Sequence, residues 1–173
     1  GIDIDVLTFN TENNKTYEKY DGVNIYRLPC REVLKGVYAL PKKNNVFYDV
    51  MEKIEKNKYD YVITQTRFFY TSYMGMKFAK KHKLKLIHVE HGNSFVKHTN
   101  KLIELTAFLY DMTIGKKIFK SAWKVIGISK ACCEFAKKMG AKHVELIYNS
   151  IDTKKFRKVK TNLKERLEIP KSK

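Results

Sequence analysis

From Phe47 to Ile147 the apolar residues switch repeatedly between a spacing of 3.6 and short β-type runs, and this alternation constrains the fold more than any other feature. Phe47, Val50, Met51 and Ile54 fall at i, i+3, i+4 and i+7, with Glu52, Lys53, Glu55 and Lys56 facing away. The spacing predicts an amphipathic helix that leads into a strand at 60–65. Tyr70, Met74 and Phe78 then line one side of a second helix, opposite Lys77, Lys80 and Lys81, and a strand follows at 84–90. Residues 99–120 form a long helical pattern with two apolar stripes. One is Leu102, Leu105, Leu109 and Met112; the other is Ile103, Tyr110, Ile114 and Ile118. Such breadth requires burial on two sides or contact with lipid. A strand at 124–128 precedes Ser129, which reads as the N-cap of a helix with Cys132, Phe135, Ala136 and Met139 on its core face and Gly140 as its stop. The last strand is 143–147. Upstream, 2–8 alternates at period two, and 23–28 repeats the alternation after an Asp21-Gly22 turn signal. Strands interleaved with helices of this length call for an α/β fold of the Rossmann-like, doubly wound class, with a mainly parallel sheet covered on both faces.

A length of 173 residues suits one domain with a real core. The abnormal quantity is charge: 35 Lys and Arg against 18 Asp and Glu give a net +17, so phosphates and anionic membranes come first among partners. No run approaches the roughly 18–20 apolar residues that span a bilayer, and no basic stretch with an apolar signal core opens the chain. Three cysteines, with Cys132 and Cys133 adjacent, fit a reducing compartment, so a cytoplasmic location is expected. Cys133 has no His or Asp at a spacing that would make it a nucleophile.

Several chemistries lack their motifs. A dinucleotide site needs closely spaced glycines after its first strand, and no Gly-x-Gly occurs. Gly115-Lys116 fails as a phosphate loop, because Tyr110 stands where the earlier glycine belongs and Lys117 where Ser or Thr would hold Mg²⁺. His88, Glu90 and His91 do not have the spacing of a zinc helix. Asp3-Ile4-Asp5 lies in an alternating strand and reads as two solvent-facing carboxylates, so neither a metal nor another cofactor is expected. Lysine clusters at 77–85 and 116–124 leave a nucleic-acid or polyanion-binding domain as the alternative function. Against specific readout, only five of the basic residues are Arg, and Lys35-Gly36-Val37-Tyr38 breaks down as an RNA-recognition motif. Scattered lysines on helix faces otherwise read as a solvated surface.

Two stretches go beyond pattern. His88-Val89-Glu90-His91-Gly92-Asn93-Ser94 sits at a strand's carboxyl end, where open parallel sheets place their ligands. Ile126-Gly127-Ile128-Ser129-Lys130, followed by Ile147-Tyr148-Asn149-Ser150-Ile151-Asp152 and Phe156, resembles the second half of the N-terminal domain of family 4 (group 1) glycosyltransferases. There a strand ending in Ser opens a helix, and an Asn-Gly-Ile/Val-Asp turn closes the domain; here Ser150 replaces the glycine. Residues 1–8 resemble the family's second strand, 21–29 its third, and 60–63 its next parallel strand. The resemblance implies one half of a GT-B fold. Residues 1–152 would be a partial Rossmann-like N-terminal domain, and 153–173 a basic linker with a short helix at 162–168 leading to a C-terminal donor domain. It further implies a strand, Gly-rich loop and helix of about 35 residues ahead of Ile2, and a Glu-x7-Glu element in a second domain past Pro170. Neither occurs within these 173 residues, so no sugar transfer is expected from them alone.

The resemblance also implies a function: a retaining, metal-independent transferase that moves a sugar from a nucleotide-sugar, held mainly by the C-terminal domain, to a glycan or glycolipid such as a lipid-linked saccharide. His91 matches the position facing the cleft and is the expected catalytic residue, hydrogen-bonding the transferred sugar or leaving group. Glu90, Gly92, Asn93 and Ser94 would bind acceptor hydroxyls on the same loop, with Gly92 permitting close ligand approach. Gln65 and Arg67 end the neighbouring strand, Arg67 being the candidate contact to a phosphate-bearing acceptor. Ser129, Asn149 and Ser150 are expected beside the cleft, whereas His88 reads as structural. Lysine-rich faces and the doubly apolar segment 102–119 imply peripheral attachment to an anionic membrane surface. Strand edges left open by a missing strand imply pairing with another copy, a homodimer.

Overall fold

The computed structural model describes residues 1–34, 38–153 and 166–168. The tail at 154–165, with Phe156 and most of the expected helix at 162–168, lies outside the described residues, as does 35–37. The chain is a Rossmann-like α/β fold whose strands form two four-stranded sheets. In the first, β1 (Asp5–Asn10) runs parallel to β3 (Val23–Leu34), from Asp5 opposite Asn24 to Asn10 opposite Pro29. Two strands that periodicity did not predict flank β3 antiparallel: β2 (Tyr17–Tyr20) and β4 (Tyr38–Pro41). The first strand thus starts later than Ile2, and the third runs past residue 28.

The Asp21-Gly22 signal closes the β2–β3 hairpin, with φ of +48° and +82° at its two residues, the positive pair a type I′ turn requires. β2 leaves no periodic signal because its only aromatic residues, Tyr17 and Tyr20, are both exposed; β4 is a short strand ending in Pro41. Asp5 is not solvent-facing as expected. It accepts hydrogen bonds from Asn24 (2.7 Å), Asn57 (2.9 Å) and the Tyr59 hydroxyl (2.7 Å). Burial opposes its charge, but these three donors outweigh that and hold the carboxyl below its usual range.

Helix α1 (Asn45–Lys56) is capped by the Asn44 side chain, which accepts from the Phe47 N–H. It buries Phe47, Val50 and Ile54 with Tyr26 and Leu28 of β3. The second sheet, β5 (Tyr61–Gln65), β6 (Lys85–Glu90), β7 (Lys124–Gly127) and β8 (Val144–Leu146), is wholly parallel and ordered as in the chain. Its core holds Leu86 and Val125 against Met76 and Ala79 of α2 (Tyr70–Lys81), with Phe119 and Phe135 from later helices. Successive right-handed crossovers advancing in one direction bring their helices to one face. On the other, Ile87, Val89 and Ile126 are half-buried and Ile63 is exposed. β1 and β5 do not pair with each other. Helix α2 bridges the two sheets instead: Met76 and Ala79 join one cluster, Met74 and Phe78 pack on the other.

The long helical segment is broken once. α3 (Lys101–Tyr110) passes through a π-helical turn, Asp111–Gly115, into α4 (Lys116–Ser121). The stripe of Leu102, Leu105, Leu109 and Met112 faces outward. The second stripe turns in, with Ile103, Tyr110 and Ile114 half-buried and Ile118 fully buried. In an unbroken α-helix Phe119, seven residues after Met112, would share its outward face; yet Met112 is 38% exposed and Phe119 0%. The i→i+5 turn between them advances less per residue and rotates Phe119 into the core. α5 (Lys130–Lys138) starts at Ser129, whose hydroxyl accepts from the Cys132 N–H, and stops at Gly140 with φ +98°.

Candidate functional site

Parallel register brings the expected site residues to one edge. Gln65 pairs with Val89, Glu90 with Gly127, and Gly127 with Leu146, so β5 to β8 end together. The loops leaving that edge are stitched by backbone bonds: Thr66 N–H to Val89 O (2.9 Å), Ile128 N–H to Glu90 O (3.4 Å) and Ile147 N–H to Gly127 O (3.1 Å). Gln65, His91, Asn93, Ser94, Asn149 and Ser150 are exposed there, and Gly92 and Ser129 partly so. The Cys132 thiol lies 3.5 Å from the His91 carbonyl oxygen and ties His91 to the first turn of α5. Ser129 spends its hydroxyl on that helix as the cap. Between the end of β1, the β3–β4 pair and the start of α2 lies a groove of about 490 Å³ lined by Thr8, Phe9, Glu12, Tyr38, Phe69 and Tyr70.

Beneath the exposed loop lies a network of buried charge centred on Arg67. The residue is 3% exposed, and every guanidinium nitrogen is engaged. Nε and Nη2 donate to the two Asp111 oxygens at 2.9 and 3.0 Å, Nη1 to Glu90 Oε1 at 2.9 Å, and Nη2 also to the Ser94 carbonyl at 2.9 Å. The guanidinium carbon sits 4.4 Å from the centre of the Phe135 ring. Glu90 receives the Gly92 N–H at 2.6 Å and stands 3.2 Å from His88 Nε2. His88, fully buried, thus directs Nε2–H to a carboxylate that can only accept, while Thr64 Oγ1 serves Nδ1 at 2.9 Å. Burial works against the Glu90 charge, but the His88 hydrogen bond, the Arg67 charge and the Gly92 N–H prevail and hold its carboxyl below the usual range.

Three of the expected site residues, Arg67, Glu90 and Gly92, meet one another inside this network. Arg67 turns inward onto two carboxylates and a carbonyl, and Glu90 spends its oxygens on Arg67, His88 and the Gly92 N–H. A Cβ at Gly92 would stand 2.7 Å from Arg67 Nη1 and 2.9 Å from Glu90 Oε1. Asp111 and Thr64 escaped the sequence reading. The available signal was Asp111 itself, a carboxylate between Tyr110 and Met112 in a largely apolar helical segment, which a helix face tolerates in the interior only with a partner.

Residues 1–155 match the model described as Glycosyltransferase Family 4. The chain belongs to glycosyltransferase family 4. Over 181 residues it is 34% identical to an uncharacterized glycosyltransferase of Methanocaldococcus jannaschii, covering 98% of this chain and 46% of that protein. It therefore spans about half the length of the curated relative it matches. In this family 4 domain the loop at 91–94 is the exposed rim of a buried electrostatic clamp. Gly92→Ala is expected to drive a methyl group into the Arg67–Glu90 pair and cost about 1–3 kcal/mol. Urea denaturation reads the loss, and wild-type stability in the variant would show that the pair yields freely.

Proposed function

We propose that the domain forms the acceptor side of a retaining, metal-independent glycosyltransferase, which moves a sugar from a nucleotide-sugar to a glycan or a lipid-linked saccharide. The observation carrying this reading is the loop at 91–94, whose side chains face solvent while its backbone is clamped from below. Polar groups fixed before reaction stabilise developing charge without reorganising. His91 is the catalytic residue in this reading: its imidazole hydrogen-bonds the transferred sugar or the departing diphosphate as the bond between them breaks. Asn93, Ser94 and Gln65 bind acceptor hydroxyls, flanked by the Asn149–Ser150 turn. Arg67 and Glu90 are positioning residues that act through the loop. The adjoining groove of about 490 Å³ has the size of a small-ligand pocket and suits an acceptor saccharide. The donor nucleotide is assigned to the second domain of the GT-B architecture.

Radiolabelled UDP- and GDP-hexoses, offered to the whole encoded protein with a lipid extract as acceptor source, test this. Wild type is expected to transfer label, and His91→Ala to lower kcat by roughly a hundredfold or more with an unchanged melting temperature. Undiminished transfer by His91→Ala removes that residue from the chemistry. Failure of folded wild-type protein to turn over any of the donors counts against the transferase reading itself.

A further inference from the structure

β6, β7 and β8 are parallel neighbours, and each is entered from the helix before it. The turns α2–β6, α4–β7 and α5–β8 therefore stand side by side at the amino-terminal edge of the second sheet, opposite the loop at 91–94 and about 17 Å from it along β6. The lysine clusters of the sequence converge there. Residues 80–85 carry four lysines, 120–124 two and 137–145 three, and Glu145 is the one carboxylate in these stretches. It is spent on Lys124, at 2.7 Å. Lysines in the last turn of a helix offset the dipole at its end, which accounts for Lys80, Lys81, Lys120 and Lys137. Lys83, Lys85, Lys124 and Lys142 lie outside the helices and have no such role.

Two aromatic rings lie open among these cations. Trp123, the only tryptophan in the sequence, is 43% exposed, and Tyr61 at the head of β5 is 48% exposed. Their ring centres are 6.3 Å apart. Lys85 Nζ stands 4.7 Å from the Trp123 ring centre and 5.9 Å from that of Tyr61, with Lys124 Nζ 5.3 Å from Trp123. Beside them a groove of about 570 Å³ is lined by Trp123, Lys124, Lys137, Lys142 and His143. A row of cations selects a polyanion, and flat rings set among them select one that carries a flat ring at every repeat, as single-stranded nucleic acid does. In a duplex the base faces are already stacked on one another. Because the cations of this edge are lysines, which offer point charges rather than arginine forks, binding is expected to tolerate any base sequence. We propose that the amino-terminal edge of the second sheet binds single-stranded nucleic acid, with phosphates on Lys85, Lys137 and Lys142 and bases against Trp123 and Tyr61. This proposal is independent of the transferase reading.

Fluorescence anisotropy of a labelled oligothymidylate with the whole encoded protein tests it. Wild type is expected to bind, and the logarithm of its affinity to fall linearly with that of the salt concentration. Trp123→Ala and, separately, Lys137→Glu/Lys142→Glu are expected to weaken binding roughly tenfold or more, with circular dichroism unchanged. Lys42→Glu/Lys43→Glu, between β4 and α1, changes the net charge equally and is expected to bind as wild type does. Failure of the folded wild type to bind, or groove variants that bind as wild type does, would overturn the proposal. Equal binding of the matching duplex, or competition by base-free inorganic polyphosphate as strong as that of unlabelled oligothymidylate, overturns it by removing the bases from the contact. A Lys42→Glu/Lys43→Glu variant weakened as far as the groove variant also overturns it, because binding then follows net charge alone.

Discussion

Replacing Arg67 with methionine is expected to cost about 3–5 kcal/mol, because it strands the Glu90 and Asp111 carboxylates inside the protein without their counter-ion. For a chain of this size that is a fall in melting temperature on the order of 10 °C. Lysine at the same position is expected to recover little, since a point charge cannot reproduce the fork that serves Asp111 with Nε and Nη2 and Glu90 with Nη1. The triple variant Arg67→Met/Glu90→Gln/Asp111→Asn is expected to recover much of the loss, because it removes the unpaired charges with their partner. Thermal unfolding followed by circular dichroism measures all three. A single Arg67→Met variant melting within about 2 °C of wild type would mean that the cluster does not hold the edge of the sheet together.

Phe119→Ala is expected to be as damaging, at about 3–5 kcal/mol. The ring is wholly buried and stands edge-on to His88, 5.4 Å between centroids, with Phe135 at 6.3 Å. Truncation opens a cavity beside the histidine that supports Glu90 and next to the ring on which Arg67 lies. The two losses should therefore not add. A double-mutant cycle of Phe119→Ala with Arg67→Met is expected to show coupling of about 0.5–3 kcal/mol. Strict additivity would separate the aromatic core from the charged cluster, and a loss under about 1 kcal/mol for Phe119→Ala would mean that the core refills the space.

The elements that were legible in the sequence are those whose burial follows one period. α1, α2 and α5 appear where Phe47–Ile54, Tyr70–Phe78 and Cys132–Met139 recur at helical spacing, and β5 to β8 appear as short apolar runs between them. β2 was hidden because an exposed strand has no apolar face to alternate, although its turn was visible as Asp21-Gly22. The loop at 88–94 was legible as a site by its place at a strand's end. The inward direction of Arg67 was not, because it depends on Asp111, 44 residues away in sequence. Such pairing is decided by tertiary packing, and no local spacing encodes it.

The π turn at Asp111–Gly115 lets the two ends of one helical segment face in different directions. Without it, the periodicity that sets Leu102 to Met112 outward would also dictate the direction of Phe119, and any drift in one face would have to be matched in the other. With it, residues before the turn answer to whatever meets the surface, and those after it answer to the core. Removing one residue from the turn would swing one part by about 100° against the other, setting leucines and core aromatics in competition for the same direction. A substitution on one side of these five positions leaves the direction of the other side unchanged, whereas an insertion or deletion within them does not.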